Sequence, residues 1–174
     1  MIVLIPSYEP DERLVALVRE IRSRAAQLEV LVVDDGSGAA YRHVFDAARD
    51  AGAIVVHHAE NRGKGRALKT GFWHAAAMWP GQDIVCADSD GQHTVPDILA
   101  VAARVAGERD AMVLGARAFS GPVPTRSRVG NGITRRLFFL TTGVNLTDTQ
   151  TGLRGYPASM LEWLDSVPGE RFEY

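Results

Sequence analysis

The sequence has little of what marks several protein classes, and each shortage excludes something. It holds a single cysteine, Cys86, in 174 residues, so no disulfide framework exists. That thiol lies in the apolar run Ile84-Val85-Cys86-Ala87 and reads as a small buried hydrophobe in a reducing compartment. No apolar stretch approaches the roughly 20 residues that a membrane helix needs. A charged leader and a small-residue cleavage site are missing too, so Met1 to Pro6 reads as a strand and the expected location is the cytoplasm. There is no basic excess: 19 Lys and Arg face 21 Asp and Glu, a formal net charge of -2, which argues against a nucleic-acid binder. Any phosphate binding must be local.

What is present is a repeating apolar pattern. The runs Ile2 to Ile5, Val30 to Val33, Ile54 to Val56, Ile84 to Ala87 and Ala111 to Leu114 fit buried strands. Leu14, Leu17, Val18, Ile21, Ala25 and Leu28 recur with helical spacing between the first two, and further helices are expected near Ala39 to Asp50, Arg66 to Trp79 and Pro96 to Ala106. Strand and helix alternating in this way predict an α/β fold, a mostly parallel sheet flanked by helices in three α/β/α layers. With 46% hydrophobic residues over 174 positions, one core is expected and not two. A helix is also expected over Ser127 to about Thr142, and the ending Gly169 to Tyr174, without an obvious closing element, reads as part of a longer chain.

In parallel sheets ligands bind beyond the carboxyl ends of the strands. Those ends here read Pro6-Ser7-Tyr8-Glu9, Asp34-Asp35-Gly36-Ser37 and Asp88-Ser89-Asp90-Gly91-Gln92, and the third strand leads to Asn61-Arg62-Gly63-Lys64-Gly65. Asp88 and Asp90, two apart in extended chain, project to one side and could share a hard cation such as Mg²⁺ or Mn²⁺, with Gln92 as a further oxygen ligand. Asp35 is either an acceptor for a base N–H or ribose hydroxyl or a helix N-cap, and Ser37 could equally be a cap. Lys64 either adds charge to a phosphate-binding loop or is a solvated residue at a helix start. The loop matches neither a Walker A motif nor a Rossmann fingerprint.

Taken in order, Ile-Pro-Ser-Tyr-Glu-Pro, Val-Val-Asp-Asp-Gly-Ser, Asn-Arg-Gly-Lys-Gly-Arg-Ala and Ala-Asp-Ser-Asp-Gly-Gln-His resemble family 2 glycosyltransferases. Gly115-Ala116-Arg117 and Asp148-Thr149-Gln150-Thr151-Gly152-Leu153-Arg154 resemble the branch of dolichyl-phosphate mannose synthase and its bacterial polyprenyl-phosphate relatives. The resemblance implies a GT-A fold and a nucleotide-diphosphate sugar donor. Asp35 would lie near base or ribose, Pro6, Tyr8 and Glu9 would line the nucleoside pocket with Lys64 and Asp88 nearby, and Asp88, Asp90 and Gln92 would surround the metal. It also implies a lipid-phosphate acceptor at the membrane surface, held by Arg117 and by Arg126 or Arg128.

The expected reaction is metal-dependent, inverting sugar transfer, with residues 1–93 as the nucleotide-sugar and metal half and 94–174 as the acceptor half. Asp90 and Arg117 are the expected catalytic groups. A hydroxyl acceptor would instead need a base, for which Asp148 or Glu173 is available. A sugar nucleotidyltransferase competes with this reading, although it would want a glycine-rich basic loop where Pro6 to Glu9 stands. An inactive nucleotide-sugar-binding module competes with it as well.

Overall fold

The computed structural model describes residues 1–115 and 152–169. Its sheet has six strands in the order β3-β2-β1-β4-β6-β5, comprising β1 (Ile2–Ser7), β2 (Glu29–Asp34), β3 (Ile54–His57), β4 (Ile84–Cys86), β5 (Val113–Leu114) and β6 (Arg154–Tyr156). β1 to β4 run parallel, so their carboxyl ends share one edge. The sixth strand lies in no apolar run. β6 is antiparallel to both β4 and β5, with Cys86 opposite Arg154, which turns its start, next to Gly152 and Leu153, toward that same edge.

Where one core is expected from the sequence, alternation of side chains along the central strands divides it into two layers, one on each face of the single sheet. Val3, Ile5, Val30, Val32 and Val85 face α1 (Glu12–Arg24), α2 (Arg42–Asp50) and α4 (Val95–Val105). Ile2, Leu4, Leu31, Val33 and Ile84 face α3 (Lys64–Met78) and α5 (Leu161–Ser166). Each aliphatic side chain fully buried this way stabilises the fold by about 1.5 to 3 kcal/mol, an upper figure because unfolded chains are partly collapsed. Pro6 is tolerated within β1 because the pairing with β4 ends at Leu4 opposite Cys86, leaving the rest of the strand one ladder neighbour, β2.

Helix boundaries follow local chemistry. Asp11 caps α1 by accepting from the Arg13 amide at 2.9 Å, Glu12 sits in the first turn and Arg22 and Arg24 in the last. The helix stops at Arg24; Ala25 and Leu28 are buried beyond its end, so their apolar spacing reflects the turn into β2. Thr94 caps α4 by accepting from the Asp97 amide at 3.3 Å. α2 starts only at Arg42, after a 3-10 turn over Ala39–Tyr41. α3 lies against β1 at Gly71, where an added methyl would overlap the Leu4 side chain. That close approach seats α3 tightly on β1. The helix expected over Ser127 to Thr142 lies outside the described residues.

Candidate active site

At the end of β2 the two aspartates act locally on the backbone. Asp34 Oδ1 accepts from the Ser37 amide at 2.9 Å, and its Oδ2 lies 2.8 Å from His57 Nδ1. Asp35 is 3% exposed, and its carboxylate fastens a distant loop: Oδ1 accepts from the Arg62 amide at 3.0 Å and Oδ2 from the Gly63 amide at 2.8 Å. These amides precede α3, whose N-cap is Gly63 and carries no capping side chain of its own. A carboxylate there suits the positive end of the helix dipole. Asp35 therefore does resemble a cap, but of α3 from across the sheet edge and not of the helix that follows it in sequence. Ser37 caps nothing; its Oγ accepts from the Glu9 amide at 2.8 Å and ties the end of β1 to the same turn. Gly36, at φ +74°, presses on the backbone between Glu60 and Asn61, where any Cβ would overlap it.

The loop so fastened delivers Lys64 to Asp88, with Nζ against Oδ1. On the other side, His93 Nε2 stands 3.4 Å from Asp88 Oδ2, an ion-pair contact outside hydrogen-bond geometry, with the imidazole almost fully buried and that nitrogen without a hydrogen-bond partner among the described residues. Burial by itself would raise the Asp88 carboxyl, but the His93 imidazole and the Lys64 ammonium outweigh it and hold the group well below the usual carboxylate range. Asp88 is also pressed by Gly152, at which an added methyl would overlap its carboxylate. Lys64 is thus no free surface group at a helix start, and Gly152 needs its missing side chain.

Asp90 and Gln92 lie farther out. The Asp90 carboxylate accepts from the Gln92 amide nitrogen at 3.0 Å and from Gln92 Nε2 at 2.6 Å, while Arg13 Nη1 donates to the Asp90 carbonyl at 2.7 Å. Asp88 and Asp90 therefore face different partners, Asp88 toward Lys64 and His93 and Asp90 toward Gln92. Carboxylate and amide oxygens are donors a hard divalent cation accepts, but here Asp88 is turned to Lys64 and His93, and Gln92 presents Nε2 and not its oxygen to Asp90. Among the described residues no group of three or more His, Cys, Asp or Glu side chains comes together for a metal.

Of the other expected residues, Tyr8 is half exposed and Glu9 exposed beside the β2 turn, Glu9 with a left-handed φ of 49°. Pro6 is buried in β1. The phenol of Tyr8 is raised by its hydrogen bond to Glu9 and by that carboxylate's charge. Cys86 is buried with its thiol pushed up to about 12, as a packing role requires. Arg117, Arg126, Arg128, Asp148 and Glu173 lie outside the described residues. The sequence pattern gives no task to His57, which ends β3 at this edge, to His58, which follows it, or to Arg13, which reaches Asp90 from the first turn of α1. His93 and Gly152 fall within the sequence motifs, but only the fold brings each of them to Asp88.

A parallel α/β sheet with an acidic pair at the end of β4 and an antiparallel strand beside it is the GT-A arrangement. The solved structure of glucosyl-3-phosphoglycerate synthase from Mycobacterium tuberculosis, in complex with Mn²⁺, uridine diphosphate and phosphoglyceric acid, has the same fold, with a TM-score of 0.66 and 20% identity over 91% of this chain and 56% of that one. Glycosyl transferase family 2 matches residues 2–163, and the chain belongs to that family. Similar proteins include the UDP-N-acetylglucosamine–dolichyl-phosphate N-acetylglucosaminyltransferase of Methanococcus voltae, 28% identical over 98% of this chain and 75% of that protein. The undecaprenyl-phosphate mannosyltransferase of Micrococcus luteus is 30% identical over 95% of this chain and 69% of that protein. The chain spans between 56% and 75% of the length of these three proteins. Among the described residues no helix is long and apolar enough to cross a membrane.

Proposed function

We propose that the protein is a metal-dependent, inverting glycosyltransferase that moves a sugar from a UDP- or GDP-linked donor to a polyprenyl phosphate at a membrane surface. The observation that carries this reading is the convergence of Asp35, Lys64, Asp88 and Asp90 on one sheet edge, from two strand ends and the start of α3. The names of the polyprenyl- and dolichyl-phosphate relatives support the acceptor class.

In this reading Tyr8, Glu9 and Asp35 bound the nucleoside pocket, where the lone pair of Asp35 Oδ2 not used by Gly63 can accept from a base N–H or ribose hydroxyl. Lys64 is placed to exchange Asp88 for the donor diphosphate. Asp90 and Gln92 would hold the cation, Mg²⁺ or Mn²⁺, with Asp88 completing the set once Lys64 turns to the diphosphate. Bound there, a divalent cation supplies Lewis-acid stabilisation of the departing diphosphate. Residues 1–93 then form the donor half and 94–174 the acceptor half. Arg117, with Arg126 or Arg128, would grip the acceptor phosphate through paired N–H donors. A phosphate acceptor is already anionic, so its oxygen attacks the anomeric carbon without a strong base, and a single displacement inverts that centre. Asp148 or Glu173 would be required as base only for a hydroxyl acceptor.

The test is sugar transfer by the full-length protein from UDP- and GDP-sugars to a polyprenyl phosphate in detergent micelles with Mn²⁺. Transfer should depend on the phosphate, and Asp90→Asn should lower turnover on the order of 10³-fold, the several kcal/mol a Lewis acid supplies. Equal turnover in Asp90→Asn, or full activity in a chelator, would contradict the reading.

A further inference from the structure

The carboxylate of Asp35 is gripped by more than the loop it fastens. Besides the Arg62 and Gly63 amides, His58 meets it too: Nδ1 lies 2.8 Å from Asp35 Oδ1, the oxygen the Arg62 amide also uses. The ring's other nitrogen, Nε2, lies 2.9 Å from Thr70 Oγ1. An ionised carboxylate only accepts, so Nδ1 carries the proton and donates; in the neutral ring Nε2 then accepts from the Thr70 hydroxyl, and in the charged ring it donates to it. Both partners are shielded: the His58 side chain is 8% exposed and that of Asp35 is 4%. The pair forms because the β2–β3 register sets Asp34 opposite His57, so the next residue on each strand meets as well.

Rotation about the last bond of an aspartate is soft, with a broad torsional preference. The Arg62 amide on Oδ1 and the Gly63 amide on Oδ2 already constrain that rotation. A third contact, from His58 to Oδ1, narrows it further, provided the imidazole is itself held. Thr70 holds it, and Thr70 belongs to α3, the helix that carries Lys64 at its first turn. Thr70, His58, Asp35 and the Arg62–Gly63 backbone therefore close a ring through the end of β3, the end of β2 and the start of α3. Where Lys64 meets Asp88 depends on that ring.

We propose that His58 is a positioning residue for the donor site: it orients Asp35 so that the Arg62–Gly63 segment, and with it Lys64, is preorganised for the nucleotide diphosphate. The consequence for donor binding rests on the glycosyltransferase reading, whereas the fastening of the loop rests on geometry alone. Nearby His57 has no such task, since it is 41% exposed in its side chain and meets Asp34, which serves its own turn.

The test uses the full-length protein and three substitutions. His58→Leu removes both contacts. His58→Asn keeps a donor where Nδ1 stands, and His58→Gln carries its amide out to the position of Nε2, so only the first of these can still hold Asp35. Two quantities are read, hydrogen exchange of the Arg62 and Gly63 amides and the affinity for UDP and for GDP with Mn²⁺. His58→Leu and His58→Gln should lower protection of both amides about tenfold and weaken the nucleotide about tenfold, while His58→Asn stays within about threefold of the parent. In transfer assays the loss should fall on KM for the donor more than on kcat. Unchanged amide protection in His58→Leu, or His58→Asn no better than His58→Gln, would overturn the proposal. If His58→Leu does not fold, the comparison of Asn with Gln carries the same decision. If the parent protein binds neither nucleotide, the donor reading fails, and amide protection still decides whether His58 fastens the loop.

Discussion

Two acidic strand ends, those of β2 and β4, flank β1 on this sheet and are built in opposite ways. At the end of β2, Asp35 is buried and both its oxygens are used, by two backbone amides and an imidazole. Beyond the end of β4, Asp90 is only partly buried, and among the described residues its carboxylate hydrogen-bonds within its own turn, to Gln92. Asp88 stands between them, paired but accessible. A carboxylate tied down by the fold serves geometry, and one left to its own turn is free to take a ligand. The pairing of a fixed end with an open one is what a donor site needs if the nucleoside is to dock on a rigid wall while the diphosphate end gathers a cation.

The contrast can be broken first at Gly152. Gly152→Ala would push a methyl into the Asp88 carboxylate without touching Asp35, and misplacing a group that supports a metal site lowers activity by about 10- to 100-fold. Transfer rate read alongside thermal stability checks this, and the loss should far exceed what the change in melting temperature accounts for. On the other side, Asp35→Ala leaves two shielded amides and an imidazole without an acceptor. It should therefore destabilise the fold by about 1 to 3 kcal/mol in denaturant unfolding, whereas Asp90→Asn, on its partly exposed turn, should change stability by under about 0.5 kcal/mol. Equal effects of the two substitutions would erase the difference between fixed and open ends.

A smaller effect concerns pH. The folded-state pKa of Asp88 lies below its unfolded value, so its ionisation contributes stability that is present above about pH 4 and is lost as pH falls further. The melting-temperature difference between the parent and Asp88→Asn, measured without metal, should hold from pH 7 to about pH 5 and shrink toward pH 3. Replacing Lys64 by Met should move that change to higher pH, because the ammonium is one of the causes of the shift.

The two ends are not equally legible in the sequence. Apolar runs locate β1 to β4, and the rule that ligands gather at carboxyl ends selects Asp35, Asp88 and Asp90 directly. β6 is not legible: Arg154–Tyr156 is three residues long, includes a glycine and becomes a strand only by pairing with β4 and β5. Asp35 presents a choice between ligand and cap because capping is usually read from the helix that follows. Here the capped amides lie more than 25 residues later, and only the sheet order brings them near. The Lys64–Asp88 pair, 24 residues apart, is hidden for the same reason. His58 stands at a strand end in plain sequence, yet nothing local separates a histidine there from a surface residue until the β2–β3 register gives it a partner.

The division of labour between the ends is tested most directly by calorimetric titration of UDP and GDP into the parent, Asp35→Ala and Asp90→Asn proteins, each with and without Mn²⁺. Asp35→Ala should weaken nucleotide binding by about 1 to 3 kcal/mol even without metal. Asp90→Asn should keep the metal-free affinity and lose the increment that Mn²⁺ adds. Loss of metal-free affinity in Asp90→Asn, or a full Mn²⁺ increment retained there, would contradict the account.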